Sequence, residues 1–253
     1  MNVQSKPELK HLLFFQGVAE FYLAQIFLAL EYLHENHVIY RDIKPENIML
    51  DSEGHARLID FGLTKIGVSD NPQTFTRTLC GTNTYMAPEV VRKQPYGPTA
   101  DWWSWGILAY DMMTGGPPFR GKDKYETYQS IINAPIKISN RLDIPSRRLI
   151  RSAIQRDVEK RLGHPNLGGT MAIRDHEFFD SINWLDLYLK KVESPLKSFI
   201  NIKSGADLNH FDNLPKHNDE ENATFMEEKN DHSDTDDDLN GLFKNFSYMD
   251  PNF

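Results

Sequence analysis

A single cysteine, Cys80, stands in 253 residues, so no disulfide can form within the chain. That suits a reducing compartment. No apolar run approaches the ~20 residues that span a bilayer, and Met1 to Lys10 lacks the basic-then-apolar order of a signal peptide. The expectation is a soluble cytoplasmic protein without a membrane span, with the nucleus as a second location. Glycine is scarce at the start: Gly17 is the only one before Gly54, so no Gly-x-Gly-x-x-Gly phosphate loop precedes it. Lysine is scarce there too, with only Lys6 and Lys10 before Lys44. Basic charge is thin between Asp212 and Asn240, where 11 acidic side chains face 2 basic ones. That stretch accounts for the net charge of −8 and leaves the rest near neutral. Such an acidic balance argues against a nucleic-acid partner.

What remains is ordinary globular composition, 40% hydrophobic, enough for one sizeable core. Tyr22, Ile26, Ala29, Leu30 and Leu33 recur at helical spacing and predict a helix over 18–36. Two short strand patterns, Ile48 to Leu50 and Arg57 to Ile59, flank the turn signal Asp51-Ser52-Glu53-Gly54 and predict a small hairpin. Residues 64–98, rich in Thr, Pro, Asn and Gly, read as a long ordered loop. A helix from Thr99 to Thr114, with Thr99 as N-cap, is apolar nearly all round and so belongs in a core. Shorter helices are expected near 123–133, 146–156 and 171–176. From about residue 200 to 240 the apolar density falls and disorder is expected. Aromatic residues return at Phe243, Phe246, Tyr248 and Phe253.

Three short sequences stand in order: Tyr40-Arg41-Asp42-Ile43-Lys44-Pro45-Glu46-Asn47, then Asp60-Phe61-Gly62, then Ala87-Pro88-Glu89. Each alone is weak. Isolated, Asp42 and Asp60 read as turn residues and Lys44 as a solvated charge. In order, with a hairpin between the first two and a long loop before the third, they resemble the catalytic loop, magnesium motif and loop-end motif of the protein kinases. The resemblance implies a mainly α fold. It would be the kinase large (C-terminal) lobe with a small β-hairpin over 1–180, followed by a regulatory tail over 181–253.

It also implies chemistry that these residue types suit. Asp42 would accept the proton of a substrate hydroxyl, and Lys44 would set a point charge on the transferring phosphate. Asn47 and Asp60 offer hard oxygen ligands for Mg²⁺. Lys44, Glu46, Asn47, Met49 and Asp60 would face ATP, with Met49 in the floor beneath the adenine. Asp101 resembles the acid that anchors the catalytic-loop backbone, and Glu89 with Arg161 a buried pair that braces the loop end.

The loop Thr74-Phe75-Thr76-Arg77-Thr78-Leu79-Cys80-Gly81-Thr82 resembles the activation loop of the AGC kinases. There the equivalent of Thr78 is phosphorylated by the phosphoinositide-dependent kinase, and Arg41 would bind that phosphate. Cys80 reads as a packed small residue. Thr82 resembles the threonine that bridges the catalytic Asp and Lys. Glu46 and Asp111 match acids that attract basic residues before the acceptor Ser/Thr. One departure is plain: Asn83-Thr84-Tyr85 stands where the family has Pro-Glu-Tyr. The loop that receives the residue after the acceptor is altered, and a substrate-facing carboxylate is missing.

Tyr110-Asp111-Met112-Met113-Thr114-Gly115-Gly116-Pro117-Pro118-Phe119, Arg161-Leu162-Gly163 and His176-Glu177-Phe178-Phe179 resemble AGC kinases of the ribosomal protein S6 kinase group. Lys191 to Lys197 fits its tail entry. Phe243-Lys244-Asn245-Phe246-Ser247-Tyr248 resembles the hydrophobic motif, with Ser247 as phosphosite. For the turn-motif phosphosite Thr224, Ser233 and Thr235 stay open. The small lobe is absent from this reading: only 39 residues precede Tyr40, too few for five strands of ~5–6 residues with turns and a helix. Two functions therefore stand side by side. One is an ATP-dependent serine/threonine kinase, of which this chain is a truncated form with low or no activity. The other is a catalytically inactive docking or decoy protein.

Overall fold

The computed structural model describes residues 16–199, which lie in one compact unit. The acidic stretch, Thr224, Ser233, Thr235, Ser247 and the 243–248 motif lie outside the described residues. Helix α1 (Gln16–Glu35) leads into the two-residue strand β1 (Val38–Ile39). Strands β2 (Ile48–Leu50) and β3 (Ala56–Leu58) follow, then β4 (Lys65–Ile66). The rest is helical: α2 (Pro88–Val91), α3 (Thr99–Thr114), α4 (Lys124–Asn133), α5 (Ile144–Ala153), α6 (Gly169–Arg174) and α7 (Trp184–Tyr188). This is the mainly α lobe with a small hairpin that the sequence predicts. Among the described residues no helix is long and apolar enough to cross a membrane.

Helices α1 and α3 form the centre. Leu23, Ile26, Phe27 and Leu30 of α1 are almost fully buried, as are Trp102, Trp103 and Trp105 of α3. The two helices lock through polar contacts as well, since Trp105 Nε1 donates to the Leu23 carbonyl at 3.1 Å. Gly106 is required where α5 crosses α3. A Cβ there would meet Ala153 Cβ at 2.7 Å, so the close approach of two helices leaves no room for one. Gly115 ends α3 in the left-handed region at φ 85°, donating its N–H to the Asp111 carbonyl at 2.7 Å.

Helix α3 has the expected bounds, but its cap differs from expectation. Pro98, not Thr99, is the cap residue, and no side chain caps the helix. The backbone already turns at Gly97-Pro98, where Asp101 N–H donates to the Pro98 carbonyl at 2.9 Å, so Thr99 falls inside the helix. The loop over 64–98 also holds more structure than predicted. β1 and β4 pair antiparallel, Val38 with Ile66 and Ile39 with Lys65, a ladder too short to show a sequence period. β2 and β3 pair in the expected hairpin, Ile48 with Leu58 and Leu50 with Ala56.

The expected tail entry packs firmly on this lobe. Leu187 and Leu196 are buried, and Ser194 Oγ lies 2.9 Å from the Tyr22 hydroxyl on α1. Lys190 Nζ reaches Asp51 at the hairpin turn, 2.9 Å away. The neighbouring His55 is buried against Gln25, whose Nε2 lies 2.6 Å from Nδ1.

Burial pushes the imidazoles of His55 and His176 below their ordinary 6.5. Just under that value the unfolded chain binds more protons than the folded one. Stability is therefore complete above about pH 6.5 and falls as the pH drops through the window beneath it. Urea midpoints at pH 7.5 and 5.5 should differ accordingly. His176→Asn keeps an acceptor for the Phe178 N–H, which Nδ1 now receives at 3.1 Å, and should shrink the difference. An unchanged difference in that variant would rule out the linkage at His176.

Candidate active site

The loop between β1 and β2 carries Asp42, Lys44, Glu46 and Asn47, and its backbone is set from α3. Asp101, nearly fully buried, accepts the N–H of Tyr40 on Oδ2 and the N–H of Arg41 on Oδ1, each at 2.8 Å. His34 from the last turn of α1 holds Oδ2 as well, at 2.8 Å. This double grip keeps Arg41 at φ 71°, a left-handed conformation that a branched or long side chain avoids. Across from it, Gly81 runs so close that a Cβ would sit 2.6 Å from the Arg41 carbonyl oxygen. Only glycine fits there, and that contact docks the later loop against the first.

Asp42 is the convergence point. Lys44 Nζ donates to Oδ2 at 2.7 Å, Asn47 Nδ2 to Oδ2 at 2.9 Å, and Thr82 Oγ1 and N–H to Oδ1 at 2.8 and 3.0 Å. The expected Thr82 bridge therefore runs through the carboxylate itself, with Thr82 on one oxygen and Lys44 on the other. Burial pushes the Asp42 carboxyl up. The hydrogen bonds from Lys44, Thr82 and Asn47 outweigh it, and the group lies below the usual carboxylate range. It is ionised at neutral pH and already aimed.

Asn47 spends its amide N–H groups on Asp42, on the backbone carbonyl as well as Oδ2, both at 2.9 Å. Its Oδ1 is thereby turned away from Asp42, which suits a cation ligand. Asp60 comes from the other side of the hairpin. Ile59 N–H donates to the Asn47 carbonyl at 3.0 Å, so Asp60 follows directly on a residue tied to Asn47. Asp60 is exposed, at φ 58°, and one carboxylate oxygen takes only the Gly62 N–H at 3.1 Å. Among the described residues no trio of His, Cys, Asp and Glu is gathered for a metal. An Asn and an Asp oxygen suit Mg²⁺, which usually takes one or two carboxylates and fills its octahedron from phosphates and water. Met49, half-buried on β2, pairs with Arg57.

The remaining candidates divide by exposure. Glu46 is exposed beside the site. Asp111 is buried and accepts the Tyr85 hydroxyl. Burial and then the Asp111 charge push that hydroxyl up, so it remains a donor. Of the two acids expected to face substrate, Glu46 is exposed, whereas Asp111 is buried with the Tyr85 hydroxyl on one of its oxygens. Thr78 is exposed, its carbonyl held by the Tyr96 hydroxyl at 2.7 Å. Arg41 donates through Nε to the Leu63 carbonyl and through Nη2 to that of Thr64 at 3.1 Å, while Nη1 is buried without a partner. Cys80 is half-buried, 3.8 Å from the Tyr96 hydroxyl.

Below the site, Glu89 and Arg161 form a bidentate pair at 2.6 and 2.9 Å, with side chains 6% and 0% exposed. Arg161 also donates to the carbonyls of Thr99 and Gln155, each at 2.9 Å. One contributor, His34, escapes sequence reasoning, because it sits in a helical run with no motif around it. The sequence marks Asn83 as a departure from the family pattern, but not its hydrogen bond to Tyr128, 45 residues later.

A family profile for the protein kinase domain matches residues 3–179. The serine/threonine-protein kinase Sgk1 of Xenopus tropicalis is 44% identical over 199 residues, 79% of this chain and 46% of that protein. Human Sgk1 is 44% identical over the same share of the chain and 45% of its own length. Human Sgk2 is 43% identical over 79% of the chain and 53% of its own length. The chain thus spans about half the length of these curated relatives. Asp42, Asn47 and Thr82 meet in one hydrogen-bonded cluster, and the match runs through all of it. The chain belongs to the protein kinase domain family, in its AGC serine/threonine branch.

Proposed function

We propose that this chain supplies the catalytic lobe of a serine/threonine kinase that moves the γ-phosphate of ATP to protein segments with basic residues before the acceptor. The observation that carries the reading is the Asp42 carboxylate, ionised, nearly buried and held on both oxygens by Lys44, Asn47 and Thr82. Asp42 takes the proton as the substrate hydroxyl oxygen bonds to the γ-phosphorus. The bond from that phosphorus to the bridging oxygen breaks, and the charge leaves on the diphosphate. Lys44, 2.7 Å from Asp42, sets its positive charge where the phosphoryl group passes. Asn47 and Asp60 would hold Mg²⁺, which when bound neutralises charge on the phosphates. Met49 supplies apolar floor for the adenine. Glu46, exposed beside the loop, attracts an arginine before the acceptor, and Asp111 joins it only if Tyr85 moves aside.

Regulation follows from the same lobe. Thr78 is the proposed phosphosite, with the phosphoinositide-dependent kinase as upstream partner and Ser247 as a second site. A phosphate at Thr78 would give the buried Arg41 Nη1 the acceptor it lacks. Incubation with that kinase should label the chain at Thr78. Labelling that persists unchanged in Thr78→Ala would refute the assignment. A second reading, an inactive docking protein, applies to the 253-residue polypeptide taken alone, which holds no Gly-x-Gly. The polypeptide as it stands should bind MgATP weakly or not at all, because an open site screens charge and buries little of the nucleotide. Micromolar affinity by calorimetry would count against this.

A further inference from the structure

Residues 82–85 turn beside the catalytic carboxylate. Thr82 holds Asp42 through both its N–H and its hydroxyl, and Tyr85 N–H donates back to the Thr82 carbonyl at 2.9 Å. Asn83 and Thr84 are therefore the corners of a tight turn whose first residue is fixed to the base. The hydroxyl of Tyr128 on α4 donates to Asn83 Oδ1 at 3.0 Å. With Oδ1 engaged, the Asn83 Nδ2 group is left with no recorded partner among the described residues, and the residue is only half-buried. Lys124, one turn earlier on α4, lies over the same tyrosine, its Nζ 5.5 Å from the ring centre. The corner thus presents N–H donors backed by a positive charge.

A peptide whose hydroxyl gives its proton to Asp42 must pass Thr82. Extended chain advances roughly 3.3–3.6 Å per residue, close to the ~3.8 Å step from Thr82 to Asn83. A residue next to the acceptor therefore falls within reach of Asn83. An apolar side chain placed there would cover the amide donors and leave them unpaired, whereas a side-chain carbonyl or carboxylate would satisfy them. We propose that Asn83 makes this kinase select a hydrogen-bond-accepting side chain, that of Asn, Gln, Asp or Glu, at the position next to the phosphorylated Ser or Thr. A proline at the same corner offers only an apolar surface. The inference deepens the kinase reading above and rests on it.

The test uses labelled Ser peptides with two arginines before the acceptor and Gln, Asp, Leu or Phe immediately after or before it. Binding to the full 253-residue chain is read by fluorescence anisotropy. Gln and Asp peptides should bind about tenfold tighter than Leu and Phe peptides at one of the two flanks, the change expected from one unpaired buried donor. Asn83→Leu and Asn83→Pro should abolish or invert that order. Tyr128→Phe, which leaves the backbone alone and frees Oδ1, should weaken it, with circular dichroism confirming that each variant folds. Equal or tighter binding of the Leu and Phe peptides, or an order that survives Asn83→Leu, overturns the proposal. If the flank preference holds but replacing the arginines with alanine changes nothing, the basic-substrate reading fails and this one stands. No saturable binding of any peptide overturns both.

Discussion

Arg161→Ala should destabilise the lobe by ~3–5 kcal/mol, because it leaves the Glu89 carboxylate charged, buried and alone. The loss is specific to breaking the pair. Arg161, itself fully buried, makes four hydrogen bonds, two to Glu89 and one each to the Thr99 and Gln155 carbonyls. Its guanidinium also lies 5.3 Å from the Trp103 ring centre. Glu89→Gln should cost less, since an amide can still accept one of the two N–H bonds. Replacing both residues with methionine removes the two charges together and should recover much of the loss. The consequence reaches the active site, because Glu89 sits on α2 at the end of the loop that delivers Thr82 to Asp42. Chemical denaturation of the single and double variants measures the ordering. A double variant as unstable as Arg161→Ala would show that packing, rather than the unpaired charge, sets the cost.

The second large effect concerns turnover. The 253-residue polypeptide alone should not phosphorylate a basic Ser peptide at a kinase-like rate. Phosphoryl transfer depends on positioning and electrostatic stabilisation, and this sequence offers Lys44, Asn47 and Asp60 but no glycine-rich cradle for the phosphates. General-base help from Asp42, about 10²–10⁴-fold, cannot replace a held γ-phosphate. Ile59, Phe61 and Leu63, 38%, 41% and 37% exposed, are apolar residues flanking Asp60. Joining the chain to the small lobe of a related kinase should restore the rate and cover these three residues. A graft that folds yet stays silent would favour the docking reading.

Much of this was legible in the sequence for identifiable reasons. Asp42, Lys44 and Asn47 are brought together by local chain, six residues that turn sharply, so their spacing alone carries the geometry. The hairpin declared itself through Asp51-Ser52-Glu53-Gly54 and its two apolar strands. The α3 core was readable because three tryptophans in four positions, 102, 103 and 105, cannot all face water. What stayed hidden depends on partners distant in the chain. His34 meets Asp101 across 67 positions and Tyr22 meets Ser194 across 172, and no period in the sequence encodes either. The β1–β4 ladder is two residues long, shorter than any strand pattern. The hydrogen bond from Tyr85 to Asp111 joins side chains 26 positions apart, and no spacing rule fixes it. The α3 bounds, Thr99 to Thr114, were legible, but the cap was not: Thr99 is a good cap by type, while the turn at Gly97-Pro98 had already begun and made Pro98 the cap.

The most direct test of the account is phosphate transfer by the lobe-grafted chain to a Ser peptide with arginines before the acceptor, measured beside Asp42→Asn and Asp60→Asn. Each exposes a different part of the mechanism. Asp42→Asn removes the proton acceptor but keeps an amide able to contact Thr82, and Asp60→Asn removes a charged oxygen from the pair proposed to hold Mg²⁺. The account predicts robust transfer by the grafted parent, a rate about 10²–10⁴-fold lower in Asp42→Asn, and near-complete loss in Asp60→Asn with the fold intact. Transfer that proceeds at the parent rate in both variants would contradict it, because the cluster built around Asp42 would then not be where the chemistry happens.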